Sequence, residues 1–327
     1  MDWTADGATT LLVIVRAIHF AATAITAGTL LAGIVVAEPA LRRSGAAARA
    51  VASQNLRVAW TGLAVAILSG IGWVALQAHA MSGLPWTEAL APGNLQTVLT
   101  ETRFGLATVT RYVLAILVGC GLVRGRNYGP RWPAAALALG LLATLAWTGH
   151  AGAEAASTAE LHVAADALHL LAAGAWIGGL VPLVMTLRAS HDVAAETGAE
   201  IACDAATRFS TLGVISVATL IVTGLVNAWI LVGVPRGLVA TEYGRLLLVK
   251  LALFAVMLLL AAVNRQVLRP KLAATAADGP RRAAFRLLTL NSVVEIAFGL
   301  AIFTVVGALG ITHPAVHFAP ELLGGPD

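Results

Sequence analysis

The chain has 327 residues, of which 58% are hydrophobic and 12% charged, and its formal net charge is +4. At a mean hydropathy of +0.83 it carries more apolar surface than a soluble domain of this length could bury. This composition excludes a soluble enzyme or binding domain and predicts an all-α integral membrane protein.

Apolar runs of about 20 residues recur along the chain, and each is long enough to cross a hydrocarbon core about 30 Å thick. Eight spans are predicted, at approximately 10–37, 58–79, 104–123, 133–149, 161–187, 210–232, 246–264 and 289–311. The first span is long and contains Arg16 and His19, so we expect it to be retained and not cleaved as a signal peptide.

Basic residues indicate the orientation. The loops after spans one, three, five and seven carry 15 of the 21 lysines and arginines. The positive-inside rule places these loops in the cytoplasm and both termini on the periplasmic side. The positive net charge follows from this loop bias and requires no nucleic-acid partner. Cys120 and Cys203 lie near the cytoplasmic side and are expected to be reduced thiols.

Spans one to four and five to eight are predicted to be two tandem four-helix repeats, residues 1–150 and 151–327, the second ending in a short periplasmic tail. The matched positions are Arg16–Ala22 with Asp166–Ala172, Ser69-Gly70 with Thr223-Gly224, Thr100-Glu101 with Thr241-Glu242, Arg111 with Lys250, and Thr148–Ala151 with Ile311–Pro314. Both halves would insert the same way up, so a pseudo-two-fold axis would run along the membrane normal. We expect His19 to face His169 across this axis.

Seven of the eight histidines lie on the outer side of this topology, which suggests a metal or cofactor. The candidate metal ligands are His19, His79, Met81, His150, His162, His169 and His313. Imidazole suits copper, zinc and iron, and a thioether beside His79 favours Cu(I). His162, Asp166 and His169 share one face of span five at i, i+4 and i+7, so Asp166 is expected to orient an imidazole. An interfacial role, bonding headgroups and helix ends, stays open for the shallower histidines.

A second group of polar residues lies deeper in the spans and comprises Arg111, Asn227, Lys250, Asn264, Asn291 and Glu295. Polar and ionisable side chains within a span are costly, so these residues are candidates for an intramembrane polar path. Helix-packing hydrogen bonds are the alternative. Glu295 is expected either to pair with Arg265 or to serve as an inner ion or proton station. Gly174, Gly178 and Gly179 are expected to allow close helix packing.

Several strings in spans five to seven carry a family resemblance. They are Gly149-His150-Ala151, Asp166–His169, Trp176–Leu180, Phe209-Ser210, Thr223–Asn227, Thr241–Leu247 with Lys250, and Asn264-Arg265. In these strings the sequence resembles the CopD copper-resistance family of bacterial inner-membrane proteins. The first half resembles the family mainly in hydropathy and in the placement of His19.

The resemblance implies an eight-helix protein that moves copper across the inner membrane together with a periplasmic copper chaperone of the CopC type. The predicted outer N-terminus is about nine residues long, so the chaperone would be a separate partner. The sequence has no Gly-rich phosphate loop or nucleophile elbow, so no enzyme activity is expected.

Three functions are compatible with these observations. The leading hypothesis is copper uptake from the periplasmic side through a histidine-lined site. The first alternative is a membrane redox protein in which His19 and His169 are the two axial ligands of a b-type haem. The second is a copper-binding assembly or sensing partner that does not transport the metal.

Overall fold

The computed structural model describes residues 7–127, 131–149, 158–273 and 278–318. Within these ranges the chain is helical and contains no strand. Eight helical runs follow the predicted spans: α1 (Gly7–Leu41), α2 (Gly45–Ser82), α3 (Arg103–Gly125), α4 (Trp132–Thr148), α5 (Ala159–Ser190), α6 (Glu196–Val232), α7 (Glu242–Ala273) and α8 (Arg281–Leu309). The prediction of an all-helical membrane protein is confirmed.

Among the described residues, seven of these runs are long and apolar enough to cross a membrane, and α4 is shorter. The last turns of α4, Thr144–Thr148, form a 3-10 helix. Since a 3-10 helix rises about 2 Å per residue against about 1.5 Å in an α-helix, α4 is about 28 Å long. This length is close to the hydrocarbon thickness, but the count of eight spans stays a prediction.

The centre of the fold is the contact between α1 and α5. A Cβ on Gly28 of α1 would lie 2.7 Å from the Cα of Gly178, so these two backbones touch. A Cβ added to Gly179 would lie 3.2 Å from Ala32 Cβ and 3.2 Å from Phe209 Cε2. The predicted packing role of the glycines in α5 is therefore confirmed. α1 also packs against α2, α4 and α8, while most of α7 lies on the outside of the fold.

Three π-helical turns interrupt the described helices. They are Gly33–Ala37 in α1, Gly174–Gly178 in α5 and Asn264–Leu268 in α7. A π-turn inserts one residue into the helical ladder and changes the direction of the side chains that follow. Two of these turns hold polar side chains that contact Glu295, described below.

α3 and α7 begin with the same capping arrangement. Thr102 Oγ1 accepts a hydrogen bond from Gly105 N at 2.9 Å, and Thr241 Oγ1 accepts one from Gly244 N at 3.0 Å. Thr102, and not the predicted Thr100, is thus the structural counterpart of Thr241. In this register Arg111 and Lys250 each follow the capping threonine by nine residues.

Candidate functional site

His19 and His169 make equivalent hydrogen bonds. His19 Nδ1 lies 3.1 Å from Ser69 Oγ, and His169 Nδ1 lies 2.9 Å from Thr223 Oγ1. Each hydroxyl precedes a glycine, Gly70 or Gly224, that leaves room for the imidazole ring beside it. The positions that the sequence pairs between its two halves therefore have the same local geometry.

These hydroxyls determine which imidazole nitrogen carries the proton. Ser69 donates its only proton to the carbonyl of Val65 at 2.6 Å, and Thr223 donates its own to the carbonyl of Thr219 at 2.6 Å. Each hydroxyl can then only accept from the imidazole, so Nδ1 is protonated and Nε2 keeps a lone pair. A neutral imidazole with a free Nε2 is the form that binds metals.

The described contacts of the two imidazoles lie in different halves of the chain. Each histidine precedes a contact residue, Ala24 or Gly174, by five residues. Five residues correspond to a rotation of about 140° around a helix, so each ring turns away from the contact and into its own half. Among the described residues no contact joins His19 to His169, so the facing pair, and a haem held between them, stay predictions.

In the first half His19 lies among cations and aromatic rings. Arg111 donates from Nη1 to His19 Nε2 at 3.4 Å and from Nη2 to Thr108 Oγ1 at 2.7 Å. The guanidinium carbons of Arg16 and Arg111 lie 4.7 Å and 4.9 Å from the centre of the Trp73 ring. Both arginines are at most 5% exposed. The lone pair on His19 Nε2 thus already accepts a hydrogen bond from Arg111.

In the second half His169 lies among oxygen acceptors and one cation. Asn227 donates from Nδ2 to Asp166 Oδ1 at 3.3 Å, while the Oδ1 of Asn227 is buried without a partner among the described residues. Asp166 also interacts electrostatically with Lys250 and with His162. Asp166 therefore contacts Asn227 and does not directly orient His169, whose Nδ1 is held by Thr223.

Glu295 forms a separate polar cluster at the middle of α8. It is 1% exposed, and it accepts hydrogen bonds from Asn264 Nδ2 at 2.7 Å and from the Trp176 indole. Asn264 in turn accepts from Asn291 at 2.8 Å. The suggested pairing of Glu295 with Arg265 is wrong, because Arg265 Nη1 donates to Ser210 Oγ at 2.9 Å.

Buried and half-buried side chains recur every seven residues on two helices of the second half. His162, His169 and Trp176 follow one another at intervals of seven residues on α5, and Lys250, Met257 and Asn264 do so on α7. Residues seven apart share a helix face, and the α5 series spans about 20 Å. Met257, Trp176 and His162 are each at most 2% exposed. We call these six residues the row; its α5 series runs from His162 to Trp176, which donates to Glu295.

The other predicted ligands lie apart from this row. His79 Nδ1 bonds the carbonyl of Leu84 at 2.8 Å, and its ring stacks on Trp86 at 4.1 Å. Met81 and His313 are exposed, and His150 lies outside the described residues. Across the described ranges, no three His, Cys, Asp or Glu side chains are grouped closely enough to form a metal cluster.

Comparison with known proteins identifies the family. A family model described as copper resistance protein D-like, N-terminal domain, matches residues 5–159, and one described as copper resistance protein D matches residues 204–309. Copper resistance protein D of Pseudomonas syringae pv. tomato is 32% identical over 298 residues, which cover 89% of this chain and 92% of that protein. The chain belongs to the copper resistance protein D family.

Two other relatives also match the chain. The inner membrane protein YebZ of Escherichia coli (strain K12) is 29% identical over 91% of this chain and 97% of its own length. The copper transport protein CutJ of Bacillus subtilis (strain 168) is 30% identical over 58% of this chain and 35% of its own length. No solved structure matches the chain. The first half, which the sequence linked to the family mainly by hydropathy, is matched by its own family model.

Several members of the site were not predicted from the sequence. Arg16, Trp73 and the two hydroxyls of Ser69 and Thr223 contact or flank the histidines, and Met257 lies in the second-half row. The seven-residue spacing of Lys250, Met257 and Asn264 was a usable signal, but in a helix composed almost wholly of apolar residues it is easily overlooked.

Proposed function

We propose that this protein takes up copper from the periplasmic side and carries it inward along the row between His162 and Glu295. His162 is the outer residue of the row, His169 supplies an imidazole nitrogen, Met257 a thioether and Glu295 the inner carboxylate. Imidazole and thioether are ligands that suit copper. The name of the family, copper resistance protein D, indicates that the transported ion is copper. The observation that carries the proposal is the contact of His169 Nδ1 with a Thr223 hydroxyl that already donates to the Thr219 carbonyl, from which we infer a lone pair on Nε2.

The charge pattern of the second half favours passage of a cation. Asp166 offsets Lys250, and the unpartnered Oδ1 of Asn227 is an acceptor that a cation would satisfy. Each position along the row provides only one or two side-chain atoms that could bind copper, so each site would hold the ion weakly. Conduction requires sites that bind an ion strongly enough to admit it and weakly enough to release it.

His19 has a lesser place in this route. Arg111 donates to the nitrogen that would bind copper, so His19 can act as a ligand only after Arg111 moves. His79, Met81, His150 and His313 are retained as candidate capture residues at the outer surface. His79 would act through its Nε2, because Leu84 holds its Nδ1.

The proposal includes location and partners. We place the chain in the bacterial inner membrane with both termini periplasmic, in line with the name of its relative YebZ and with the distribution of basic loops. A separate CopC-type chaperone would deliver copper to the outer surface. The protein would act as a carrier and not as an enzyme, and the tandem arrangement of residues 1–150 and 151–327 is part of the same proposal.

Copper flux into proteoliposomes tests the route. Vesicles containing the purified protein and an internal copper-sensitive dye should show protein-dependent uptake, which His169→Ala should reduce to near the rate of empty vesicles. His19→Ala should reduce it less. His317→Ala is the matched control, because His317 is an exposed outer histidine away from the row.

Two outcomes would redirect the proposal. Parent-like flux in His169→Ala would show that the route is wrong. Tight stoichiometric copper binding without flux would favour the assembly or sensing role. An absorption spectrum of the same preparation addresses haem, since a Soret band would support the redox alternative.

A further inference from the structure

The cluster around Trp73 in the first half has an excess of positive charge. Arg16 and Arg111 are 4% and 5% exposed, and both lie within 5 Å of the Trp73 ring centre. No acidic residue is found among the described side chains that contact these guanidinium groups or line the cavity beside them. Charged groups at this depth are costly unless they are paired.

The equivalent positions of the second half are balanced. Arg16 precedes His19 by three residues, as Asp166 precedes His169, and Trp73 follows Ser69 by four residues, as Asn227 follows Thr223. In the second half the acidic Asp166 therefore offsets the single cation Lys250. In the first half Arg16 stands where the acid would be, so it adds to the charge of Arg111.

The same cluster also has an excess of hydrogen-bond donors. Arg16 Nε, Arg111 Nε and Trp73 Nε1 are buried and have no partner among the described residues. All three are N–H groups that can donate but cannot accept. The aromatic faces and the end of α8 at Gly310, which lies against Arg16, provide partial charges but no anion. Among the residues that the structure describes, this cluster lacks an acceptor that carries negative charge.

A cavity is lined by two residues of this cluster, Arg111 and Trp73, while Arg16 lies against the Trp73 ring outside that lining. The cavity measures about 20 Å³ and is lined by residues that include His19, Trp73, Phe104, Thr108, Arg111 and Tyr112. A particle of the size of one water molecule needs about 10–15 Å³ of such space. The cavity therefore accommodates a single small ion and excludes a carboxylate-bearing molecule or a phosphate unless the helices move.

We propose that the first half binds one small monovalent anion, chloride under physiological conditions, in the cavity beside Arg111 and Trp73, where the charge of Arg16 on the same ring adds to the attraction. The anion supplies the negative charge that Asp166 supplies in the second half. The two halves would then have equivalent helices and histidines, but the first half would bind an anion and the second a cation.

Thermal stability in matched salts tests this site without copper, so its result is independent of copper transport. Purified protein is heated in sodium chloride and in sodium gluconate at equal ionic strength, gluconate being too large for the cavity. Chloride at about ten times its dissociation constant should raise Tm by roughly 3 °C. Equal Tm values in the two salts would overturn the proposal, leaving water as the acceptor for the three donors.

Two variants and one control locate the effect. Arg16→Gln should weaken bromide binding, measured by calorimetry, by at least about tenfold, because it removes a charged donor. Arg16→Asp recreates the second-half pattern and should give the same Tm in both salts. Arg245→Gln makes the same change in charge at an exposed position and should keep the parent's chloride dependence.

Direct detection covers the case in which the Arg16 variants fail to fold. Crystals of the parent protein soaked in bromide should show an anomalous peak beside Trp73. A peak only elsewhere, or stabilisation by phosphatidylglycerol vesicles but not by chloride, would overturn the proposal and assign the arginines to a lipid headgroup.

Discussion

Two hydroxyl groups give the histidines of this protein their chemical form. Ser69 and Thr223 each donate to a carbonyl of their own helix and accept from an imidazole Nδ1. The two rings nevertheless differ in what their second nitrogen meets. Arg111 donates a hydrogen bond to Nε2 of His19. The residues of the second-half site include instead the hydrogen-bonded pair Asp166 and Asn227. Identical hydrogen bonds thus support different roles.

Removing the hydroxyl beside His169 should weaken copper binding. Thr223→Val keeps the shape of the side chain but no longer accepts from Nδ1, so the proton is no longer fixed there. Loss of such an orienting group typically costs 10- to 100-fold in metal affinity, and we expect a drop in that range, measured against a competing chelator. Thr219→Val is the control, because its hydroxyl bonds only its own helix at Ile215. Equal affinities in the two variants would contradict the role of Thr223.

Glu295 should be needed for flux more than for folding. Glu295→Gln keeps one oxygen that can accept from Asn264 but removes the carboxyl group that would bind a copper cation. We expect copper flux to fall at least several-fold while Tm stays near that of the parent. Glu200→Gln, which loses only an exposed pair with Arg43, should change neither quantity. A large loss of Tm in Glu295→Gln with normal flux in the folded fraction would assign Glu295 to packing.

At the scale of elements, the pair α1 and α5 organises the molecule. Their backbones touch at Gly28 and Gly178, and the helices that complete each half surround them. The π-turn of α5, Gly174–Gly178, lies at this contact and also contains Trp176, which bonds Glu295. Packing at the centre and placement of the inner carboxylate are therefore linked through one turn of helix.

A single methyl group at the centre should destabilise the fold. The Cβ of Gly28→Ala would lie 2.7 Å from Gly178 Cα, so the two backbones must separate. Such overpacking costs about 1–3 kcal/mol, and we expect a lower Tm in detergent. Gly213→Ala is the matched control, since no atom lies within 4 Å of its added Cβ, and it should leave Tm unchanged or slightly raised. The central contact would be disproved by equal Tm values for the two variants.

At the scale of the whole molecule, the positions of the helices along the chain could be predicted from the sequence better than the contacts between distant helices. The helices fall where the apolar runs are, because a span of about 20 apolar residues has few other stable conformations. The pairing of His19 with His169 was a symmetry argument, and symmetry makes positions equivalent without bringing them into contact. The π-turns and the partner of Glu295 depend on packing between distant helices, and no local pattern around Asn264 or Trp176 indicates them.

The orientation proposed for the molecule also permits a direct measurement. In a variant with Cys120→Ser and Cys203→Ser, a single cysteine at exposed Glu88, between α2 and α3, should react with a membrane-impermeant maleimide in intact cells. A single cysteine at Arg43, between α1 and α2 and 80% exposed, should react only after the cells are opened. The basic residues on the Arg43 side require this result, since they are retained in the cytoplasm during insertion. The reverse labelling pattern would place His162 at the cytoplasmic end of the row, so copper uptake would have to be replaced by export along the same side chains.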